Sequence, residues 1–167
     1  MKREITIYTD GSSLGNPGPG GWGTLLLTEK SAVELGGRDD NTTNNKMELQ
    51  ALIEAMKLLA ERGITDYDVT IFADSKYVLQ GISEWIHGWK KRGWKKADGK
   101  PVLNQEYWQE LDGLRNFLEE DGNKLFFEHV KAHNGEIYNE RVDDIARLLA
   151  GKEDVELYSG KRTSYLA

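Results

Sequence analysis

Asp68-Val69-Thr70-Ile71-Phe72-Ala73-Asp74-Ser75 joins an apolar run to an acid and a helix cap. Its first six residues are a mostly apolar run, the look of a strand covered on both faces. The run ends at Asp74, and Ser75 can cap a helix with apolar positions at Val78, Ile82, Trp85, Ile86 and Trp89. A covered strand that hands over to a helix belongs in a layered α/β domain. Upstream, Glu4 to Thr9 alternates and is β-branched, which predicts a strand ending at Asp10. Gly11 to Gly23 holds six glycines and two prolines and reads as a turn-rich connection. Trp22 to Thr28 and Ser31 to Gly37 follow as two further strands, antiparallel neighbours of the first. Asn41 to Asn44 offers several helix caps, and Leu49, Leu52, Ile53, Met56, Leu59 and Ala60 then recur at helical spacing up to Gly63. Downstream come a basic segment, a helix carrying Trp108, Leu111, Leu114 and Leu118, a strand from Lys124 to Lys131, and a closing helix from Asn139 to Leu149. The sum is an α/β domain with a mixed sheet over residues 1–150, and a tail, 151–167, that shows no clear periodicity.

A chain of 167 residues fits one domain. Its hydrophobic content of 38% is ordinary for a globular chain, and no run approaches the roughly 20 apolar residues of a membrane helix. The first residues lead straight into a strand and carry no signal-like apolar region, so the expected compartment is the cytoplasm and no membrane partner is expected. Without cysteine, disulfides and thiolate metal sites are excluded. A metal must be held by oxygen or by His87, His129 or His133. The net charge of −6 argues at first sight against a nucleic-acid partner. That average hides a segregation: residues 85–100 hold six basic residues against one acid, Asp98.

Four acids draw attention by position. Asp10 and Asp74 each stand where an apolar strand ends, and ligand sites of open α/β sheets gather at such ends. Either one alone could be a turn residue or a helix cap. Glu48 shares its angular sector with Leu52, Ala55 and Leu59. The helix dipole would explain an acid in a first turn, but not an acid on the apolar side. A carboxylate there needs a partner, either a cation or a basic side chain. Asp143, at the edge of the closing helix's apolar stripe, has the same ambiguity. If the four converge, each pair at 4 Å repels by about 4 kcal/mol at an effective dielectric of 20, and protons or divalent ions must relieve it. An all-oxygen donor set selects hard ions, Mg²⁺ or Mn²⁺.

The basic segment has a reading of its own. Lys90, Lys91, Arg92, Lys95, Lys96 and Lys100 interleave with Trp89 and Trp94, a pattern suited to phosphates and to sugar or base faces. The competing reading is a solvated helix end with core tryptophans, and Trp85 is expected in the core.

Thr9-Asp10-Gly11-Ser12, Gly15 to Gly21, Thr42 to Glu48, Ala73-Asp74-Ser75, Trp85 to Lys95, Val130-Lys131-Ala132-His133 and Asn139 to Asp143 together resemble type 1 ribonuclease H. They occur in that family's order over about residues 4–150, and the chain is most similar to the bacterial stand-alone enzymes with a basic handle. The resemblance implies a three-layer fold with a mixed five-stranded sheet, three antiparallel strands then two parallel, flanked by helices. It implies a monomeric endonuclease that cuts the RNA strand of an RNA–DNA hybrid and leaves 5′-phosphate and 3′-hydroxyl ends. Asp10, Glu48, Asp74 and Asp143 would ligate two Mg²⁺ ions, with Mn²⁺ as a substitute. His133 would be the loop histidine that assists proton transfer or product release. Asn16, Thr43, Asn44 and Asn45 would contact the hybrid's backbones, and the handle around residues 85–100 would grip the DNA strand. Lys46 and Lys76 stand where the pattern leads one to expect Arg and Gln; both keep polar reach toward the hybrid.

Three other readings compete. A silent hybrid-binding module of the same fold gives no reason to keep four acids. Another nuclease or polynucleotidyl transferase of the superfamily would tolerate loss of the histidine loop and handle, and both are present. A purely structural domain leaves Glu48 unexplained.

Overall fold

The computed structural model describes residues 3–130 and 136–166. Among them, six strands form one sheet: β1 Arg3–Ser13, β2 Gly18–Leu27, β3 Ser31–Thr42, β4 Tyr67–Ala73, β5 Lys124–His129 and β6 Ser159–Lys161. Their order is β5-β4-β1-β2-β3-β6, with β1, β2, β3 and β6 antiparallel and β1, β4 and β5 parallel. The mixed sheet matches expectation, but six strands replace the expected five. The extra strand comes from the tail, which pairs Ser159 with Val33 and Lys161 with Ser31. Three residues are too few to show a period in sequence, so only pairing reveals β6.

The first strand also runs past its expected end. Asp10 lies inside β1, which continues to Ser13, and β2 begins at Gly18. Most of the glycine-rich segment is therefore strand, and the turn is confined to residues 14–17. The glycines serve close packing rather than turning. A Cβ at Gly23 would lie 2.7 Å from the Val142 carbonyl oxygen, and one at Gly36 would lie 2.8 Å from the Leu149 side chain. Because these positions lack side chains, helix α5 (Ile137–Ala150) beds directly on β2 and β3.

Two apolar layers follow from the strands' alternation. Ile5, Ile7, Leu26, Val69 and Ile71 face a core with helix α1 (Asn44–Glu61) and helix α4 (Gln105–Glu120). Tyr8, Leu25, Leu27 and Ala32 face Val142 of α5 and Tyr165 of the tail. Helices thus cover both faces, as a three-layer α/β domain requires. Between β4 and α4, helix α2 (Lys76–Gln80), a π-helical turn (Gly81–Trp85) and helix α3 (Ile86–Lys91) run on continuously. Gly81 sits at this turn because the Trp108 ring occupies the space a Cβ would need. Among the described residues, no helix is long and apolar enough to cross a membrane.

Candidate active site

Parallel pairing of β1 with β4 sets the site. Thr9 pairs with Ala73, so Asp10 and Asp74 each follow a partner of the same rung and emerge side by side. Helix α1 brings the third acid. Thr43 caps it, its Oγ1 accepting from Lys46 N at 3.2 Å, and Glu48 falls in the second turn. That position lies beyond the first-turn amides, which removes the dipole explanation for Glu48. Gly11 lets the helix approach: a Cβ there would overlap the backbone of Met47 and Glu48.

The result is a cluster in which one carboxylate oxygen each from Asp10, Glu48 and Asp74 lie within 4.8 Å of one another. Asp10 is 4% exposed and Glu48 5%. The backbone N–H of Gly11 donates to Asp10 Oδ1 at 2.9 Å. Glu48 Oε2 is buried with no hydrogen-bond partner among the described residues. Burial pushes the Asp10 carboxyl up to about 7, with the charges of Asp74 and Asp143 adding to the rise. Glu48 is raised well above the carboxylate range by burial and by Asp10 beside it. Asp74 is raised by burial and by Asp143, while the nearby His129 pulls the other way. Without a cation the cluster keeps protons near neutrality. A buried acceptor that lacks a donor, beside two more carboxylates, suits a hard divalent ion.

Asp143 stands apart from the tightest group. It projects from the second turn of α5, its side chain 46% exposed and paired with Arg147 at 3.0 Å. Its charge nevertheless adds to the rise of both Asp10 and Asp74. His133 lies outside the described residues, as does the Lys131 end of the expected last strand; the strand itself closes at His129. His129, named from sequence only as one of three histidines able to hold a metal, ends β5 in register with Ala73 and so stands next to Asp74. Only the strand pairing could have found it.

Around the cleft, Asn16 in the β1–β2 turn accepts from Asn44 N at 3.2 Å, which joins that turn to the start of α1. Asn44 is exposed, while Thr43, Asn45 and Lys46 are half-buried; Lys76 is exposed just after Asp74. A groove of 790 Å³ then runs from Lys46 to Lys96, Lys100 and Asn104. It joins the start of α1 to the basic segment, and Asn104, missed in sequence, lies in it with a left-handed φ of 60°.

The basic segment corrects one expectation about its tryptophans. Trp85 is 37% exposed rather than core, whereas Trp89 and Trp94 are half-buried against the main apolar cluster. Helical periodicity put Trp85 inward, but the π-helical turn changes the phase there. Trp85 still packs at ring-centroid distances of 5.8 Å on Tyr77 and 6.0 Å on Trp89, and with them lines a second groove that reaches Lys96. Among the lysines, Lys90 is held by Asp112 at 3.1 Å and Lys96 lies 3.9 Å from Asp98. Arg92 donates to the Lys95 carbonyl at 3.1 Å. Lys91, Lys95 and Lys100 are exposed with no ion pair among the described residues.

Comparison with known proteins agrees with this layout. The ribonuclease H family model matches residues 2–150. A ribonuclease H of Thermosynechococcus vestitus is 51% identical over 152 residues, covering 90% of this chain and 91% of that one. A ribonuclease H of a Caulobacter species is 45% identical over 161 residues, 96% of this chain and 99% of that one. Among solved structures, LC9-RNase H1, described as a type 1 RNase H with the type 2 active-site motif, superposes with a TM-score of 0.80 at 29% identity, covering 96% of this chain and 79% of that one. LC11-RNase H1, solved in complex with an RNA/DNA hybrid, gives a TM-score of 0.66 at 26% identity, covering 89% and 97%. The sheet order, the acid cluster and a match across nearly the whole chain lead to one conclusion: this chain belongs to the metal-dependent ribonuclease H family.

Proposed function

We propose that the chain is an endonuclease that hydrolyses the RNA strand of RNA–DNA hybrids at the cleft of Asp10, Glu48, Asp74 and Asp143. The observation that carries this reading is the buried cluster in which one oxygen each of Asp10, Glu48 and Asp74 lie within 4.8 Å of one another, with Glu48 Oε2 unpartnered among the described residues. A silent hybrid-binding module would gain nothing from that arrangement, because clustered acids repel the phosphates it must hold. The four carboxylates would hold two Mg²⁺ ions, with Mn²⁺ as a substitute, and the bound ions supply water activation and charge neutralisation at the scissile phosphate.

The chain's own residues do the rest. Burial of Asp10 and Glu48 excludes water and holds their carboxyls ready to exchange protons for a cation. Asn16, Thr43, Asn44, Asn45 and Lys46 line the start of α1, where backbone and side-chain donors meet a nucleic-acid backbone. Lys76 would extend that contact on the far side of Asp74. The groove toward Lys96 and Lys100 leads the DNA strand to the handle, where Trp89, Lys91, Arg92, Trp94 and Lys95 complete the grip. Lys90, tied to Asp112, fixes the root of the handle as well as adding charge. His133 would accept or return the proton as the RNA strand separates into 5′-phosphate and 3′-hydroxyl ends. All these groups belong to one chain, so we take the acting species to be a monomer. We place its work in the cytoplasm.

The variants Asp10→Asn and Asp74→Asn test the assignment. Both should fold and bind hybrid with wild-type affinity, yet cut it at least about 10²-fold more slowly. Wild-type turnover by either would contradict the metal-site reading.

A further inference from the structure

The last residues of the chain carry a polar network that the catalytic reading leaves unused. Glu34, on β3, is 3% exposed, and among the described residues every partner its carboxylate has comes from α5 or from the tail. Arg141 of α5 donates from Nε to Oε2 at 2.7 Å and from Nη2 to Oε1 at 2.9 Å. The Tyr165 hydroxyl donates to Oε2 at 2.6 Å, and Tyr158 N donates to Oε1 at 2.9 Å. Arg141 Nη2 also reaches the Glu156 carbonyl at 3.1 Å. Arg162 ties the segment down by donating to the Thr28 carbonyl at 2.9 Å. An aromatic seam runs parallel to this network: Tyr165 stacks on Tyr138 at 6.3 Å, and Tyr138 packs on Tyr8 at 5.4 Å.

These contacts fall on one part of α5. Its stretch from Val142 to Ala150 beds on Gly21, Gly23 and Gly36. Ahead of that stretch Tyr138 packs on Tyr8 of β1, and the tail grips both Tyr138 in the first turn and Arg141 at the start of the second. Asp143 stands two residues after Arg141, at the near end of the bedded stretch. Its own ion pairs are with Arg147 of the same helix, which moves with it and cannot fix it against the sheet. The place of Asp143 relative to Asp10 and Asp74 is therefore set by how α5 is seated. A buried carboxylate whose partners are all on α5 and the tail resists any displacement that would leave it unpaired.

We propose that residues Tyr158 to Tyr165 are a brace that seats the first turns of α5, with Glu34, Arg141 and Tyr165 as positioning residues for Asp143. The inference rests on the reading of Asp143 as a metal ligand. It assigns the C-terminal segment to metal affinity, whereas a purely structural tail would affect stability alone.

The test compares the full-length protein with Tyr165→Phe, which loses one hydroxyl and keeps the ring, and with a chain ending at Glu153. Calorimetric Mn²⁺ binding is measured without substrate, alongside the Mn²⁺ concentration for half-maximal hybrid cleavage, the hybrid KM and the melting temperature. Removal of a group that orients a metal ligand weakens metal affinity by about 10–100-fold, and the truncated chain should fall in that range, with the hybrid KM unchanged. Tyr165→Phe should shift in the same direction by a smaller factor, and it decides alone if the truncated chain does not fold. A lower melting temperature with the full-length Mn²⁺ affinity in both variants would overturn the brace. Absence of Mn²⁺ binding in the full-length protein would remove the metal site itself, and the inference with it. Loss of binding in Asp143→Asn with full binding in Tyr165→Phe and the truncated chain would keep the metal site and reject the brace.

Discussion

At the scale of single residues, Asp10 and Glu48 set stability against function. Their carboxyls are raised because burial penalises the charged form, Asp10 to about 7. A group whose folded-state value is raised contributes stability that is present below the unfolded value, near 4, and lost as pH rises through the folded value. In EDTA, the native protein should therefore lose stability relative to Asp10→Asn as pH rises from about 4 to above 7. The difference at pH 8 should be on the order of 1–4 kcal/mol, given about 1.36 kcal/mol per pKa unit. Urea unfolding of both proteins at pH 4 and pH 8 measures it, and a gap that does not depend on pH would contradict the assignment. Adding Mg²⁺ at pH 8 should close part of the gap, because the ion binds the folded native site and not the Asn variant. How these residues came into view differs. Glu48 was legible from its angular sector, since an acid among Leu52, Ala55 and Leu59 conflicts with the local pattern. The closeness of Asp10 to Asp74 was not legible, because it depends on parallel pairing between residues 64 positions apart, such as Thr9 with Ala73.

At the scale of elements, the glycines of β2 and the handle decide the most. Gly23 carries the backbone of α5 at a distance that leaves no room for a methyl group. Gly23→Ala should cost about 1–3 kcal/mol, as overpacking in a tight core does, and chemical denaturation reads it. An unchanged midpoint would show that α5 can lift off without penalty. In the handle, Lys91 and Lys95 are exposed, while Lys90 is engaged by Asp112, which is 8% exposed. Lys91→Ala with Lys95→Ala should reduce the salt slope of hybrid binding by roughly two phosphate contacts, each worth about 0.7–0.9 in log–log slope. Lys90→Ala should lower stability more than it changes that slope, since it strips a partner from a nearly buried Asp112. Binding as a function of salt concentration separates the two. Periodicity found the helices, and a mostly apolar run found the buried strand. It failed at Trp85, where a π-helical turn shifts the phase, and at the glycines, whose role depends on a helix more than a hundred residues downstream.

At the scale of the whole molecule, charge is divided between two surfaces. Buried acids gather in one cluster and basic residues in the handle, and a net charge of −6 describes neither. The segregation was visible in the sequence because residues 85–100 are contiguous. The tail's part in the fold was not, since β6 is three residues long and its anchor, Glu34, sits on a strand where an acid gives no local signal. Metal should also act globally: above pH 7, Mg²⁺ should raise the melting temperature of the native chain and leave Asp10→Asn nearly unmoved, as scanning calorimetry would show. The central claim is that the acid cluster cuts only the RNA of a hybrid. Its most direct test is incubation of end-labelled RNA–DNA hybrid, single-stranded RNA, double-stranded RNA and double-stranded DNA, each with Mg²⁺ or EDTA. Mg²⁺-dependent cutting confined to the RNA strand of the hybrid is the predicted result; hybrid binding without cutting, or equal cutting of double-stranded RNA, would contradict it.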